Sequence, residues 1–302
     1  MKAFFGSLTV IHPNNLLVLI LLLIVLVIGS SGSGTAEVDG QAVITRYNTR
    51  QIGAPGLQRI QLEIGTGASV TTRYELMRIF SQSGDTTATI VVVAGAGPLV
   101  GTAVLLVEQT GVGIRDVFLY IPAGTKQTIR LETSRHSERL LGSDFTYRDL
   151  GWTLPVRGWR YQVAPEATSR DSRKVDVDAV EETFGRAAYG RHQKLTFGVE
   201  DNNLLSRVYV KSAGASIHAS LGHAFEVERT DCISGVTTPT RISVKEGRDW
   251  SRLTLLESRL FLSGLQSTRL TPALLPTSAE FILEHWAHDA SQRGMEAREC
   301  EK

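Results

Sequence analysis

From residue 57 onward the chain is a succession of short runs in which apolar and polar side chains alternate, and this period of two limits the fold most. The runs fall at 58–64, 72–80, 87–93, 102–108, 116–121, 127–132, 160–164, 174–182, 194–200, 206–211, 216–229, 240–245 and 252–262. Gly, Asp, Asn and Ser cluster between them. Leu195, Phe197 and Val199 share one parity, as do Val208 and Val210, and Val117, Leu119 and Ile121. Alternation with short turns predicts antiparallel sheet, not the strand–helix–strand units of a parallel one. Helix signals are confined to 42–48 and to 277–290. In the second, Thr277 and Glu280 form a T-x-x-E capping box, and Phe281, Ile282 and Trp286 supply an apolar side. A sheet with so few helices must hide its apolar face in a second sheet, in a closed barrel, or by curling around something. Periodicity alone leaves all three open.

One stretch breaks the pattern. Residues 16–28 read LLVLILLLIVLVI, shorter than the ~20 residues of a spanning helix and within the roughly 7–15 of a signal-peptide apolar region. Lys2 precedes it. Gly34 and Ala36 follow at the small-x-small spacing of a cleavage site, which places the cut after Ala36. The expectation is a signal peptide over 1–36, an exported body outside the cytoplasm over 37–302 forming one domain, and no membrane anchor after cleavage. An uncleaved anchor beginning near Phe4 is the alternative. His12, Pro13, Asn14 and Asn15 interrupt it.

The whole chain carries 32 Lys and Arg against 31 Asp and Glu. Such balance excludes a basic nucleic-acid binder as the default and predicts no nucleic-acid partner. Loss of Lys2, the only Lys, Arg, Asp or Glu before residue 37, takes the net charge from +1 to zero. The cysteines Cys232 and Cys300 are free to pair in an oxidising compartment or to remain thiols. Neither stands in a zinc-binding spacing, so no metal is expected.

Chemistry is hard to find in the rest of the chain. The segment 95–101 has the spacing G-x-G-x-x-x-G, but a strand-like run follows it where a phosphate cradle needs a helix N-terminus. A glycine-rich turn is the better reading. His285 and His288 sit three apart on a helix, and His218 and His223 share no clean face, so both pairs read as solvated positions. No serine or cysteine nucleophile has an evident histidine and acid, so the expectation is a non-enzyme without cofactor. The densest motif is Gly142-Ser143-Asp144-Phe145-Thr146-Tyr147-Arg148-Asp149-Leu150. Ser143 and Asp144 after a glycine suit a turn whose side-chain oxygens accept backbone N–H bonds, with Phe145, Tyr147 and Leu150 docked beneath it. A structural lock between strands accounts for it.

Three segments in order carry a resemblance: 100–106 with Gly101 and Thr102, 117–123 with Tyr120 and Pro122, and 141–150 with Gly142, Ser143, Asp144, Phe145, Tyr147 and Asp149. Together they resemble the outer-membrane lipoprotein-sorting protein family, in its larger periplasmic branch related to the carrier LolA, over roughly residues 85–150. The resemblance implies a strongly curved antiparallel sheet, an unclosed half-barrel with one or two helices as lid or plug. It further implies a periplasmic carrier for acyl chains of lipoproteins or other lipids, active in lipoprotein sorting by binding without chemistry. Phe118, Tyr120, Leu195, Phe197, Val208 and Val210 are the expected cavity-lining residues, and the C-terminal helix or a nearby loop is the expected lid. The competing reading is an envelope interaction protein that docks on a membrane transporter and fills its cavity with its own side chains.

Overall fold

The computed structural model describes residues 39–49, 56–124, 126–164, 173–181, 192–198, 203–210, 221–233, 236–260 and 270–288. The expected signal peptide over 1–36 lies outside them. Helix α1 (Gly40–Thr49) leads into thirteen strands. They are β1 (Gly56–Thr66), β2 (Ser69–Ser83), β3 (Thr86–Ala94), β4 (Ala103–Gln109), β5 (Gly113–Tyr120), β6 (Thr128–Leu131) and β7 (Trp159–Val163). The chain continues through β8 (Lys174–Glu181), β9 (His192–Gly198), β10 (Leu204–Val210), β11 (Leu221–Ile233), β12 (Val236–Glu246) and β13 (Asp249–Leu260), and α2 (Leu275–His288) closes the described chain. Within the described residues, each run marked by alternation falls on a strand.

All thirteen strands join one antiparallel sheet in the order β6-β5-β4-β3-β2-β1-β13-β12-β11-β10-β9-β8-β7. The chain thus starts at the middle, meanders to the β6 edge, and reappears at the opposite edge as β7. It then meanders back until β13 pairs with β1, Leu62 opposite Leu253. The sheet does not close into a barrel, because β6 and β7 are not hydrogen-bonded neighbours. This is the unclosed half-barrel that the resemblance implied.

The two faces of the sheet are covered differently. One continuous apolar cluster takes a residue from every strand, from Leu131 of β6 through Leu62, Leu76, Val104 and Leu253 to Tyr161 of β7. All thirteen strands thus turn apolar side chains to one common face, the interior of a large twisted sheet. The same cluster takes Val43, Ile44 and Tyr47 from α1, and Leu140, Phe145, Tyr147, Leu150 and Leu154 from the β6–β7 connection. That connection, residues 132–158, is a strap laid across the interior from one edge strand to the other.

Residues of opposite parity make a second cluster. Met77, Ile79, Ile90, Val92, Ala103, Leu105 and Tyr120 pack against Leu275, Ala279 and Ile282, which recur at helical spacing on α2. The C-terminal helix therefore covers the outer face, and the element lying over the interior is the strap. Its start also differs from the capping-box reading. The turn Pro272–Leu274 runs directly into α2, which opens at Leu275 with Pro276 in its first turn, where a missing N–H is harmless, and Thr277 lies inside the helix.

Local chemistry sets α1. Asp39 Oδ1 accepts the Gln41 N–H at 3.0 Å, an N-cap bond. A Cβ on Gly40 would stand 2.7 Å from the Tyr161 backbone, so only glycine lets the helix approach β7 this closely. The Tyr47 ring then meets Phe197 edge-on at 5.4 Å. The 95–101 segment is the β3–β4 turn, with Gly95, Gly97 and Gly101 at φ of 85°, 125° and 83°, and β4 follows it where a phosphate site needs a helix. No helix among the described residues is long and apolar enough to cross a membrane.

Candidate functional site: the strap and the cavity beneath it

The strap is built from the motif that stood out in the sequence. Its backbone turns sharply through Leu141 and Gly142, both at positive φ (52° and 74°). Ser143 is fully buried: its hydroxyl donates to the Leu140 carbonyl at 2.7 Å, and its Oγ accepts the Phe145 N–H at 3.2 Å. Asp144 reaches across the interior to β13, where its N–H donates to Ser251 Oγ at 2.8 Å and its carboxylate accepts the Ser251 hydroxyl at 3.1 Å. Burial pushes the Asp144 carboxyl above the usual range, against the Ser251 bond and Arg139. Arg139 also pairs with Glu246 of β12 at 2.9 Å. Asp149 Oδ2 accepts both the N–H and the hydroxyl of Thr146 at 2.8 Å, while its Oδ1 lies 3.5 Å from Arg207 of β10. Phe145, Tyr147 and Leu150 are buried beneath the turn.

Two polar ties hold the far end of the strap. Glu108 of β4 is fully buried, and its Oε1 accepts the N–H groups of Trp152 and Thr153 at 2.7 and 2.9 Å and the Thr153 hydroxyl at 3.0 Å. Trp152 lies on Phe80 and under the Arg78 guanidinium, 4.5 Å above its ring. Desolvation lowers the Arg78 pKa to about 10, the Glu108 charge opposing it, so Arg78 stays protonated at neutral pH. Asn48 of α1 makes the second tie. Its amide donates to the Leu154 carbonyl at 2.7 Å and its carbonyl accepts the Leu154 N–H at 2.8 Å. The Tyr161 hydroxyl donates to the Pro155 carbonyl, and burial raises its pKa.

Beyond this end, between strap and sheet, lies a cavity of about 240 Å³. Val112, Ile114, Leu154, Pro155 and Trp159 form its apolar wall, and His136, Arg148, Arg157, Gln193 and Arg207 line the polar side. A bulge in β5, where the register against β4 shifts at Glu108, brings Ile114 to the same face as Val117. His136 is 2% exposed. Its ring bonds the Leu131 backbone, while its Nε2 has no hydrogen-bond partner among the described residues. Burial is the main cause of its lowered pKa, so it is neutral at pH 7.

The expected lining residues are not gathered at one place. Leu195 and Phe197 are buried in the interior cluster, whereas Phe118 and Tyr120 face the outer side with α2. A one-residue slip in parity separates the two groups. The side chains of Val208 and Val210 lie outside the described residues, as do those of His218, His223, His285 and His288. Among the motif positions, Gly101 at the end of the β3–β4 turn packs against Pro122, a Cβ there standing 3.1 Å from the proline ring, and Thr102 is buried. Both belong to the scaffold of β4 and β5. Arg207, Gln193 and Glu108 escaped the sequence reading because a charged or amide residue in an alternating strand reads as solvent-facing. The bulge between Leu204 and Ser206 against β9 resets the parity of β10 and turns Arg207 inward.

A family model described as "Uncharacterized protein" matches residues 85–259, more than half of the chain. The chain belongs to that family. No protein with a curated description matches the sequence. Solved structures share the fold. An outer membrane lipoprotein-sorting protein domain from Vibrio parahaemolyticus superposes with a TM-score of 0.66 at 15% identity, over 78% of this chain and 98% of that one. A DUF1329 family protein from Desulfovibrio piger gives 0.65 at 15% identity, over 78% and 97%. A LolA superfamily protein from Nitrosomonas europaea gives 0.55 at 16% identity, over 78% and 98%. The fold is thus that of the LolA-like lipoprotein-sorting domains, as the three motifs implied. Those motifs fall where that architecture is decided, on β4, on β5 and on the strap.

Proposed function

We propose that this chain is a non-catalytic periplasmic carrier that binds the acyl chains of lipoproteins or similar amphiphiles inside the half-barrel. The observation that carries this reading is the one-sided cover of the interior. An apolar cluster touched by all thirteen strands is roofed by a strap whose ties are a small set of polar contacts from Glu108, Asn48, Ser251 and Arg207. Lifting the strap exposes apolar surface on which each buried methylene of a guest gains about 0.8 kcal/mol. The likeness in fold to a lipoprotein-sorting domain supports the same ligand class. The disulfide at Cys232 supports an oxidising compartment, and the only other cysteine in the sequence, Cys300, lies outside the described residues.

A second reading has its own support. The interior is already occupied by Phe145, Tyr147, Leu150 and α1, and the cavity at the strap's far end, about 240 Å³, is below the ~300–1,000 Å³ of ordinary ligand sites. An envelope protein that docks on a transporter with its interior self-filled fits these facts. Lipid mass spectrometry of an organic extract of the purified protein separates the two. The carrier reading expects a stoichiometric acyl species, and the docking reading expects none.

A further inference from the structure

The cavity lining is unusual for a chain of almost no net charge. Arg148, Arg157 and Arg207 all face it, with His136, and none of its lining residues is an aspartate or glutamate. Arg207 shares the nearby Asp149 at 3.5 Å. Arg148 and Arg157 form no ion pair among the described residues. His136 lines the same cavity, and its buried Nε2 has no hydrogen-bond partner among the described residues. A neutral acyl chain entering alone would strip water from these groups without replacing its hydrogen bonds, which is costly. An oxyanion replaces them: guanidinium forks match carboxylate and phosphate oxygens in geometry and charge. The wall from Val112 and Ile114 to Leu154 and Trp159 continues the same space as apolar surface.

We infer that this cavity seats the oxyanion head of an amphiphile, a carboxylate or phosphate monoester held by Arg148, Arg157 and His136, with its apolar body running from the Val112–Trp159 wall toward the strap. The assignment rests on the carrier reading and narrows its ligand to anionic amphiphiles. A head so placed lies beside Thr153 and Leu154, the residues tied by Glu108 and Asn48, so its arrival bears on the strap's own anchors.

Titration calorimetry on the delipidated full chain tests this with four probes: myristate, myristoyl lysophosphatidate, monomyristoylglycerol and inorganic phosphate. The expected result is that at least one of the two anionic amphiphiles binds tenfold or more tighter than the neutral glyceride. The double variant Arg148→Gln/Arg157→Gln should reduce that advantage about tenfold. Equal affinity for anionic and neutral amphiphiles overturns the head-group site while leaving the carrier reading standing. Binding of no amphiphile overturns both. Inorganic phosphate binding as tightly as lysophosphatidate overturns the amphiphile assignment in favour of a free anion.

Discussion

Single buried polar groups decide how firmly the interior is roofed. Glu108 satisfies three donors of the strap with one oxygen, so Glu108→Ala leaves the Trp152 and Thr153 N–H groups buried without acceptors. We expect a loss of about 3 kcal/mol, read as a lower urea midpoint, with Glu108→Gln intermediate. His136 gives the pH dependence. Its folded pKa lies below the ordinary 6.5, chiefly through burial, with Arg148 and Arg130 also opposing the proton and Asp116 favouring it. The unfolded chain therefore takes up a proton that the folded chain resists. The stability contributed by neutral His136 is complete above pH 6.5 and is lost as pH falls through the folded value. Asp116 does not titrate in that window, since Arg115 and Arg130 hold its carboxyl below the usual range against burial. Thermal unfolding at pH 7.5 and 5.5 should show a drop that His136→Gln flattens.

At the scale of elements, the strap is the part that moves in this account, and α1 holds it. Asn48→Ala removes both hydrogen bonds to Leu154. Hydrogen exchange should accelerate in 150–158 more than in β1 or β13, and an unchanged strap would mean that α1 does not secure it. Phe145→Ala, at a fully buried position, should cost about 3–5 kcal/mol and loosen the whole connection. The elements themselves were legible in the sequence. Alternation marked every strand, since a pleated, half-buried strand cannot avoid a period of two, and both helices were expected, although the capping box at Thr277 falls inside α2 and not at its start. Where alternation failed was in assigning faces. Phe118 and Leu195 look alike in sequence, yet Phe118 packs on the face with α2 and Leu195 in the interior cluster that includes α1, because an apolar residue in an alternating strand carries no mark of which side its face meets. The path of the strap was also hidden. Edge-to-edge crossing is a property of strand order, and nothing local in 132–158 says which strands flank it.

For the whole molecule, two meanders whose strands pair at β1 and β13 form one sheet, and the seam there is Leu62, Ile60, Leu253 and Leu255 in register. Curling gives all strands a shared interior, and leaving β6 and β7 unpaired gives that interior an opening which the strap fills. On the proposed carrier function, this interior exchanges its own cover for a guest. Native mass spectrometry of the protein purified without detergent from its own cells tests that exchange most directly. A population carrying one added mass in the range of an acyl amphiphile, removed by delipidation and restored by adding myristoyl lysophosphatidate or myristate, is the expected result. Only the bare chain mass, before and after exposure to those amphiphiles, would contradict it.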